Sequence, residues 1–152
     1  MGILVTRRHA WIDVAVAAFV LHFLWEMLQS PLFEGMSAAP HGFAVKTCLR
    51  ATLGNVAIAL IAFLSAARVG GHDWIRRPHA SPAAAFLATG LAITVLYELL
   101  ATRVLHRYEY AATMPTILGI GLVPIAQWIV IPLLLVGALR ERPGLPLPPH
   151  YS

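Results

Sequence analysis

Four long apolar runs constrain this chain more than any other feature of its sequence. They cover residues 10–29, about 47–67, about 82–102 and about 115–139, and turn-rich loops separate them. A helix that crosses a bilayer needs about 20 mostly apolar residues. The runs lack the period-two alternation of membrane strands. The sequence therefore predicts an all-α integral membrane protein that folds as a bundle of four transmembrane helices.

The composition favours the same class. Of the 152 residues, 59% are hydrophobic and only 12% are charged, whereas soluble domains carry roughly 25% charged residues. The net charge of +4 does not indicate nucleic acid, because the basic residues are scattered between the apolar runs. The single cysteine, Cys48, excludes an intrachain disulfide. We expect residues 1–142 to form one transmembrane domain, followed by a proline-rich tail at 143–152.

The basic residues predict the orientation of the bundle. With four spans, both termini lie on one side of the membrane. That side carries Arg7, Arg8, Arg68, Arg76, Arg77, Arg140 and Arg142, and the other carries Lys46, Arg103 and Arg107, with Arg50 just inside the second span. Because loops rich in Lys and Arg stay in the cytoplasm, we expect both termini to be cytoplasmic. The expected location is a cell membrane, specifically a bacterial inner membrane.

Polar residues within the apolar runs gather toward the outer side in this topology. Glu26 and Glu98 lie near the outer ends of the first and third spans. A charge at the centre of a span costs about 2.5–3.5 kcal/mol on insertion scales and usually faces a protein interior. His22, Glu26 and Gln29 are spaced i, i+4, i+7, so they share one helix face. The sequence therefore predicts a polar pocket in the outer half of the bundle.

Two carboxylates in one pocket suggest proton transfer. In a medium of low dielectric, neighbouring carboxylates do not both ionise readily, so one acts as acid and the other as base. We therefore predict Glu26 and Glu98 as the catalytic pair. The residues expected to orient a ligand are His22, Gln29, Asn55, Tyr110 and Gln127. Arg50 and Arg103 are expected to be structural ion-pair partners, and the alternative is that such pairing gives both glutamates a role in packing only.

The fourth run is expected to be irregular. Pro124 and Pro132 cannot donate a backbone hydrogen bond, and Gly119 and Gly121 lie close by. This pattern predicts a kinked helix beside Gln127.

Metal binding is not predicted from the motifs. His22 and Glu26 share a helix face, but the Glu-x-x-His pairs of di-iron bundles and the zinc-binding spacings are missing from the sequence. It also contains no phosphate-binding loop, no G-x-S-x-G and no H-E-x-x-H. No cofactor is indicated.

Two classes of function remain open at this point. In the first, the protein binds a lipid, quinone or isoprenoid-like amphiphile in the outer-half pocket, and it either only binds this ligand or transforms it by acid/base chemistry. In the second, it is a non-catalytic subunit or assembly factor of a larger membrane complex, with another membrane protein or a second copy as its partner. A small transporter is a weaker alternative, because four spans without a repeat are poorly suited to alternating access.

Overall fold

The fold is a bundle of four helices, seen in a computed structural model that describes residues 9–141. The helices are α1 (Ala10–Gln29), α2 (His41–Gly70), α3 (Ala80–Leu99) and α4 (Leu122–Leu139). Within this part of the chain, all four are long and apolar enough to cross a membrane. Each of α1 and α3 packs against both α2 and α4, so the helices occupy the corners of a square. Arg7, Arg8, Arg142 and the predicted tail at 143–152 lie outside the described residues.

Glycine and proline set several of the helix boundaries. Pro40 directly precedes α2. Backbone N–H groups at the start of a helix have no acceptor within the helix, so a proline there sacrifices no hydrogen bond. Gly71 follows α2 with a φ of 80°, and its N–H group donates to the Ala67 carbonyl. This left-handed conformation ends the helix and is readily adopted only by glycine. α3 continues into a π-helical turn, Leu100–Val104.

The second and fourth helices begin at different positions from those predicted. α2 starts at His41, six residues before the predicted apolar run, because the polar first turns of the helix carry little hydropathy signal. α4 starts only at Leu122. The residues before it form a two-stranded hairpin, in which β1 (Thr116–Ile117) pairs antiparallel with β2 (Ile120–Gly121). Hydropathy averaged over a window does not distinguish an apolar hairpin from an apolar helix.

The hairpin replaces the predicted kink. Leu118 and Gly119 form its turn with φ values of 51° and 76°, as in the turns that favour glycine at a central position. Pro124 lies in the first turn of α4, where backbone N–H groups have no intrahelical acceptor. Pro132 is inside the helix.

One end of the bundle, here called the closed end, is filled by aromatic side chains. The Trp74 ring lies between those of Phe63 and Phe86, and its centroid is 6.0 Å from that of Phe63 and 5.4 Å from that of Phe86. Arg76 in the α2–α3 loop donates to Asp13 at 3.1 Å, and Arg77 donates to Glu141 at 3.2 Å. These contacts join the start of α1 and the residues after α4 to the α2–α3 loop. Both ends of the described chain therefore lie at the closed end.

The opposite end, here called the cavity end, is covered by two loops that pair with each other. Residues 30–40 form two short 3₁₀ turns, Ser30–Leu32 and Met36–Ala38. Phe33 forms an isolated antiparallel bridge with Tyr110, and the Glu34 N–H group donates to the Glu109 carbonyl at 2.9 Å. This pairing holds the residues that follow α1 against those that follow α3.

The outward faces of the helices are apolar. Leu28 is 80% exposed and Leu133 is 62% exposed. Many other large apolar side chains on all four helices are exposed as well. Soluble monomers rarely expose a continuous apolar surface of this extent.

Candidate functional site

A cavity of about 660 Å³ lies at the cavity end of the bundle. All four helices and the loop at residues 30–40 contribute to its wall. Small-molecule sites in proteins have volumes of about 300–1,000 Å³ and are mostly apolar with a few placed polar groups. The wall fits this description, since Ile58, Ile93 and Phe33 lie beside the two buried carboxyl groups of Glu26 and Glu98.

The carboxyl group of Glu26 is surrounded by amide donors from three helices. Oε1 accepts from Asn55 Nδ2 at 2.7 Å and from Gln127 Nε2 at 3.1 Å. Oε2 accepts from Gln29 Nε2 at 3.0 Å. Glu26 is only 8% exposed. An ionised carboxylate can only accept hydrogen bonds and has about four acceptor sites, so these three donors occupy most of them.

A second layer of side chains holds those amides in position. Trp25 Nε1 donates to Gln29 Oε1 at 3.1 Å, and Trp128 Nε1 donates to Asn55 Oδ1 at 3.2 Å. Each indole fixes which way its amide group points, because the amide oxygen must face the N–H group. The amide nitrogens of Gln29 and Asn55 are therefore directed at Glu26.

His22 extends this network into the bundle. Gln127 Nε2 lies 2.9 Å from His22 Nδ1. When the amide donates, Nδ1 accepts and the ring proton resides on Nε2. His22 is fully buried, and its Nε2 atom has no hydrogen-bond partner within residues 9–141. His22 does not line the cavity, so it supports Gln127 from behind.

The position of Trp128 depends on a glycine in the neighbouring helix. A Cβ atom at Gly90 would lie 2.2 Å from Trp128 Cε3 and 2.3 Å from Cζ3. No side chain fits in that space, so Gly90 allows the indole to lie close against α3. The network around Glu26 therefore relies on a small residue that makes none of its hydrogen bonds.

The carboxyl group of Glu98 has a different environment, formed by two tyrosines. Tyr108 Oη donates to Glu98 Oε1 at 2.9 Å, and Tyr110 Oη donates to Oε2. Burial raises the pKa of both phenols, and the hydrogen bond to the carboxylate raises each pKa further. Both tyrosines therefore stay protonated near neutral pH and act as donors. The π-helical turn after α3, together with the bridge between Phe33 and Tyr110, places both tyrosines over the end of α3.

Two arginines and a threonine on the cavity wall have no such partners. The side chains of Arg50 and Arg107 make no ion pair or hydrogen bond within residues 9–141. The Thr94 hydroxyl is buried and has no hydrogen-bond partner among the same residues. The buried carboxyl groups of Glu26 and Glu98 thus have hydrogen-bond partners, while several donors of the cavity wall have none within residues 9–141.

The structure brings together most of the residues selected from the sequence. Glu26, Gln29, Asn55 and Gln127 are joined in one network, and Glu98 lies on the same cavity wall. Tyr110 does not line the cavity itself, but its hydroxyl group donates to Glu98, which does.

The two arginines predicted as ion-pair partners behave differently from the expectation. Arg103 donates to the Leu118 carbonyl in the hairpin turn and makes no ion pair with a glutamate in the described part of the chain. Arg50 lines the cavity without pairing with Glu26, because Asn55 occupies the position beside that carboxyl group. Amide groups take the place that the sequence assigned to guanidinium groups.

Sequence reasoning missed the two indole donors and Arg107. Trp25 is four residues before Gln29, so helical spacing could have linked them. Trp128 had no such signal, since its partner Asn55 is on another helix. Arg107 was taken only as an orientation signal. Across residues 9–141, no group of three or more His, Cys, Asp or Glu side chains is arranged to hold a metal ion.

Comparison with known proteins gives no further guide to the site, since no protein-family model, curated protein or solved structure matches the chain.

Proposed function

We propose that this protein is an integral membrane protein with four spans and both termini in the cytoplasm, located in a bacterial inner membrane. Four long apolar helices with apolar outward faces support the insertion. The orientation rests on the arginines, because Arg68, Arg76, Arg77 and Arg140 are all near the closed end. In this orientation the cavity end faces outward.

Cysteine labelling tests this orientation. In a Cys48→Ala background, Leu118→Cys places a thiol in the exposed hairpin turn and His72→Cys places one in the α2–α3 loop. A membrane-impermeant maleimide should label Leu118→Cys in spheroplasts and label His72→Cys only after lysis. The reverse pattern would overturn the orientation.

We propose further that the protein binds a lipidic or isoprenoid-like amphiphile in the cavity. The observation that carries this proposal is a cavity of about 660 Å³ with two buried, fully hydrogen-bonded carboxyl groups on an otherwise largely apolar wall. Burying polar groups among apolar helices is costly unless they are paired, and a purely structural core would be better served by apolar packing. A preorganised polar wall beside apolar space is suited to a ligand that has both a polar part and an apolar part.

The cavity is also accessible from the side. Its wall includes exposed residues of two neighbouring helices, Arg50, Ala51 and Gly54 on α2 and Tyr97 on α3. A Cβ atom at Gly54 would meet nothing within 4 Å. An apolar tail can therefore extend between α2 and α3 toward the surrounding lipid while the polar part of the ligand stays at the network.

A pair of glycine variants tests the binding. Gly54→Phe places a ring at the lateral opening of the cavity, whereas Gly137→Phe adds the same side chain to an outward position of α4 where there is also nothing within 4 Å. Both proteins should fold. After purification in mild detergent, mass spectrometry should find an amphiphile with the wild type and with Gly137→Phe, and at least about tenfold less of it with Gly54→Phe.

Two other results of this purification would count against the proposal. Equal amounts of lipid with both variants would show that the lipid is bound to the outer surface. A co-purifying membrane protein that is lost in Gln127→Leu, with no bound lipid in any sample, would favour the alternative of a non-catalytic subunit.

Acid/base conversion of the ligand is a second candidate function, favoured by the contrast between the two carboxyl groups. Glu26 is held by amide donors, and Glu98 is hydrogen-bonded to hydroxyl groups that can pass a proton. In an isomerisation, Glu98 in its protonated form donates its proton to a double bond of the ligand, and ionised Glu26 removes a proton from a neighbouring carbon. Proton exchange with water then returns both carboxyl groups to their starting forms. The ligand keeps its atoms, and one proton enters as one leaves.

Deuterium uptake tests this conversion separately from binding. In D₂O, the wild type and the control Asp13→Asn should exchange deuterium into carbon positions of the co-purified amphiphile. Glu26→Gln and Glu98→Gln should retain the amphiphile but slow the exchange by about 10²-fold or more, as expected for loss of a general acid or base. No exchange with the wild type would refute the catalytic proposal and leave the binding proposal in place.

A further inference from the structure

Within residues 9–141, most of the cavity-lining polar side chains that have no hydrogen-bond partner are donors, and the exception is the exposed carboxyl group of Glu34. Glu26 accepts from three amides and Glu98 from two hydroxyls. In contrast, Arg50 and Arg107 line the same cavity and have no side-chain partner in the described part of the chain. These side chains can therefore donate hydrogen bonds to acceptor groups of a ligand in the cavity.

Thr94 gives independent support for a polar ligand group in this space. It is 6% exposed and lines the cavity, and its hydroxyl has no hydrogen-bond partner within residues 9–141. A buried hydroxyl without a hydrogen-bond partner is unfavourable, because it has lost its hydrogen bonds to water and gained none in the protein. A ligand oxygen inside the cavity would satisfy it.

The two unpaired arginines of the wall can bind an anion with more than one charge, because the carboxyl groups of Glu26 and Glu98 already accept hydrogen bonds from protein donors. Each guanidinium group presents up to five N–H donors in a planar fork that matches phosphate oxygens. A phosphate monoester carries about −1.5 to −2 charges near neutral pH, which two arginines can offset. Glu34 also lines the cavity, and it is exposed, as Arg50 and Arg107 are, so water screens all three charges and the second arginine is needed to outweigh Glu34.

We infer that the ligand of this cavity is an amphiphile with a phosphate head group, held by Arg50 and Arg107, with its tail against the apolar wall. This inference rests on the proposed amphiphile binding and adds the chemistry of the head group. The tail contacts are provided by Ile58, Ile93 and the aromatic rings of Phe33 and Phe43. The two carboxyl groups keep their protein donors and do not compete for the arginines.

The test uses two probes that share a tail and one that has none. The full chain is placed in phosphatidylcholine nanodiscs, and binding of farnesyl phosphate, farnesol and inorganic phosphate is measured against empty nanodiscs. We expect farnesyl phosphate to bind about tenfold or more tightly than farnesol, since hydrogen bonds to charged groups are stronger than those between neutral groups. Its affinity should fall as salt increases. Inorganic phosphate should not bind in the same concentration range.

Arginine variants assign this preference to the cavity. Arg50→Gln and Arg107→Gln should each weaken farnesyl phosphate binding by about tenfold and leave farnesol binding unchanged. Arg68→Gln is the matched control, because Arg68 is an exposed arginine at the other end of α2 and does not line the cavity. It should not change the affinity for either probe.

The outcomes separate this inference from the proposal beneath it. If farnesol and farnesyl phosphate bind equally and Gly54→Phe abolishes both, the phosphate head group is wrong and amphiphile binding stands. If inorganic phosphate binds as tightly as farnesyl phosphate, the site recognises free phosphate and the inference fails. If Gly54→Phe changes neither affinity, both proposals fail.

Discussion

The closed end and the cavity end of this bundle are built from the same four helices but are filled in opposite ways. At the closed end, the rings of Phe63, Trp74 and Phe86 fill the space between helices, and charged residues pair at the periphery. At the cavity end, amide, hydroxyl and carboxyl groups face inward around a space of about 660 Å³. Stability is thus concentrated at one end and polar preorganisation at the other.

The difference between the two ends also appears along a single helix, α2. Small residues on α2, Ala59, Ala62 and Ala66, are fully buried toward the closed end and allow close packing there. Toward the cavity end, Ala51 and Gly54 of the same helix are exposed. One helix therefore changes from a packing surface to a cavity wall along its length.

The largest expected effect on stability is at the closed end. Phe86→Ala should lower the free energy of unfolding by about 3 kcal/mol, because it removes a fully buried ring and leaves a void. Thermal or detergent-induced unfolding measures this change. Leu133→Ala, at an outward position that is 62% exposed, is the control and should change stability by less than about 0.5 kcal/mol. Equal effects of the two variants would show that the closed end does not dominate stability.

Gly90→Ala should have the next largest effect and should act on both ends. Its added methyl group overlaps the Trp128 ring, so we expect a loss of about 2 kcal/mol. Displacement of the indole also breaks its bond to Asn55, and amphiphile binding should weaken. Gly137→Ala, at a position with nothing within 4 Å, should leave both measurements unchanged. Normal binding by Gly90→Ala would separate Trp128 from the network.

Gln127→Leu should affect the cavity end alone. It removes the donor to Glu26 and the contact with His22 while keeping a side chain of similar size. We expect a loss of about 1–2 kcal/mol in stability and a clear loss of amphiphile binding. Ile131→Val, one turn further along α4 and outside the cavity, is the comparison for stability without a polar change. Unaltered binding by Gln127→Leu would mean that the network is structural only.

The smallest expected effect is at the periphery of the closed end. Asp13→Asn removes the carboxylate that accepts from Arg76, and Asp13 is 30% exposed. Partly exposed ion pairs contribute about 0–1 kcal/mol, so the unfolding midpoint should shift only slightly. A shift as large as that of Phe86→Ala would contradict the view that rings, not charges, hold this end together.

The number of helices and much of the site were accessible from the sequence. The first and third runs agree with α1 and α3 to within a few residues, because continuous apolar runs signal helices directly. Periodicity also placed His22, Glu26 and Gln29 on one face, and all three are buried. Local spacing was sufficient for both results.

The pairing between helices was not accessible. The position of Asn55 beside Glu26, and of Trp128 beside Asn55, depends on how α2 and α4 are rotated and shifted against α1. A single sequence carries no signal for this relative placement. For the same reason, the sequence could not decide that amides rather than Arg50 would approach Glu26.

Because the helices differ in length, their fit to a bilayer depends on the thickness of that bilayer. α2 has 30 residues and is about 45 Å long, whereas α4 has 18 residues and is about 27 Å long. The hydrocarbon layer is about 30 Å thick, so in the proposed membrane location α4 would fit it and α2 would either tilt or project into the head-group region. Asn55 lies near the middle of α2, and the half of α2 before it rises beside the cavity. In the proposed orientation, the lateral opening of the cavity would then reach the level of the outer lipid head groups, and a thicker or thinner bilayer would change how readily an amphiphile enters from that leaflet.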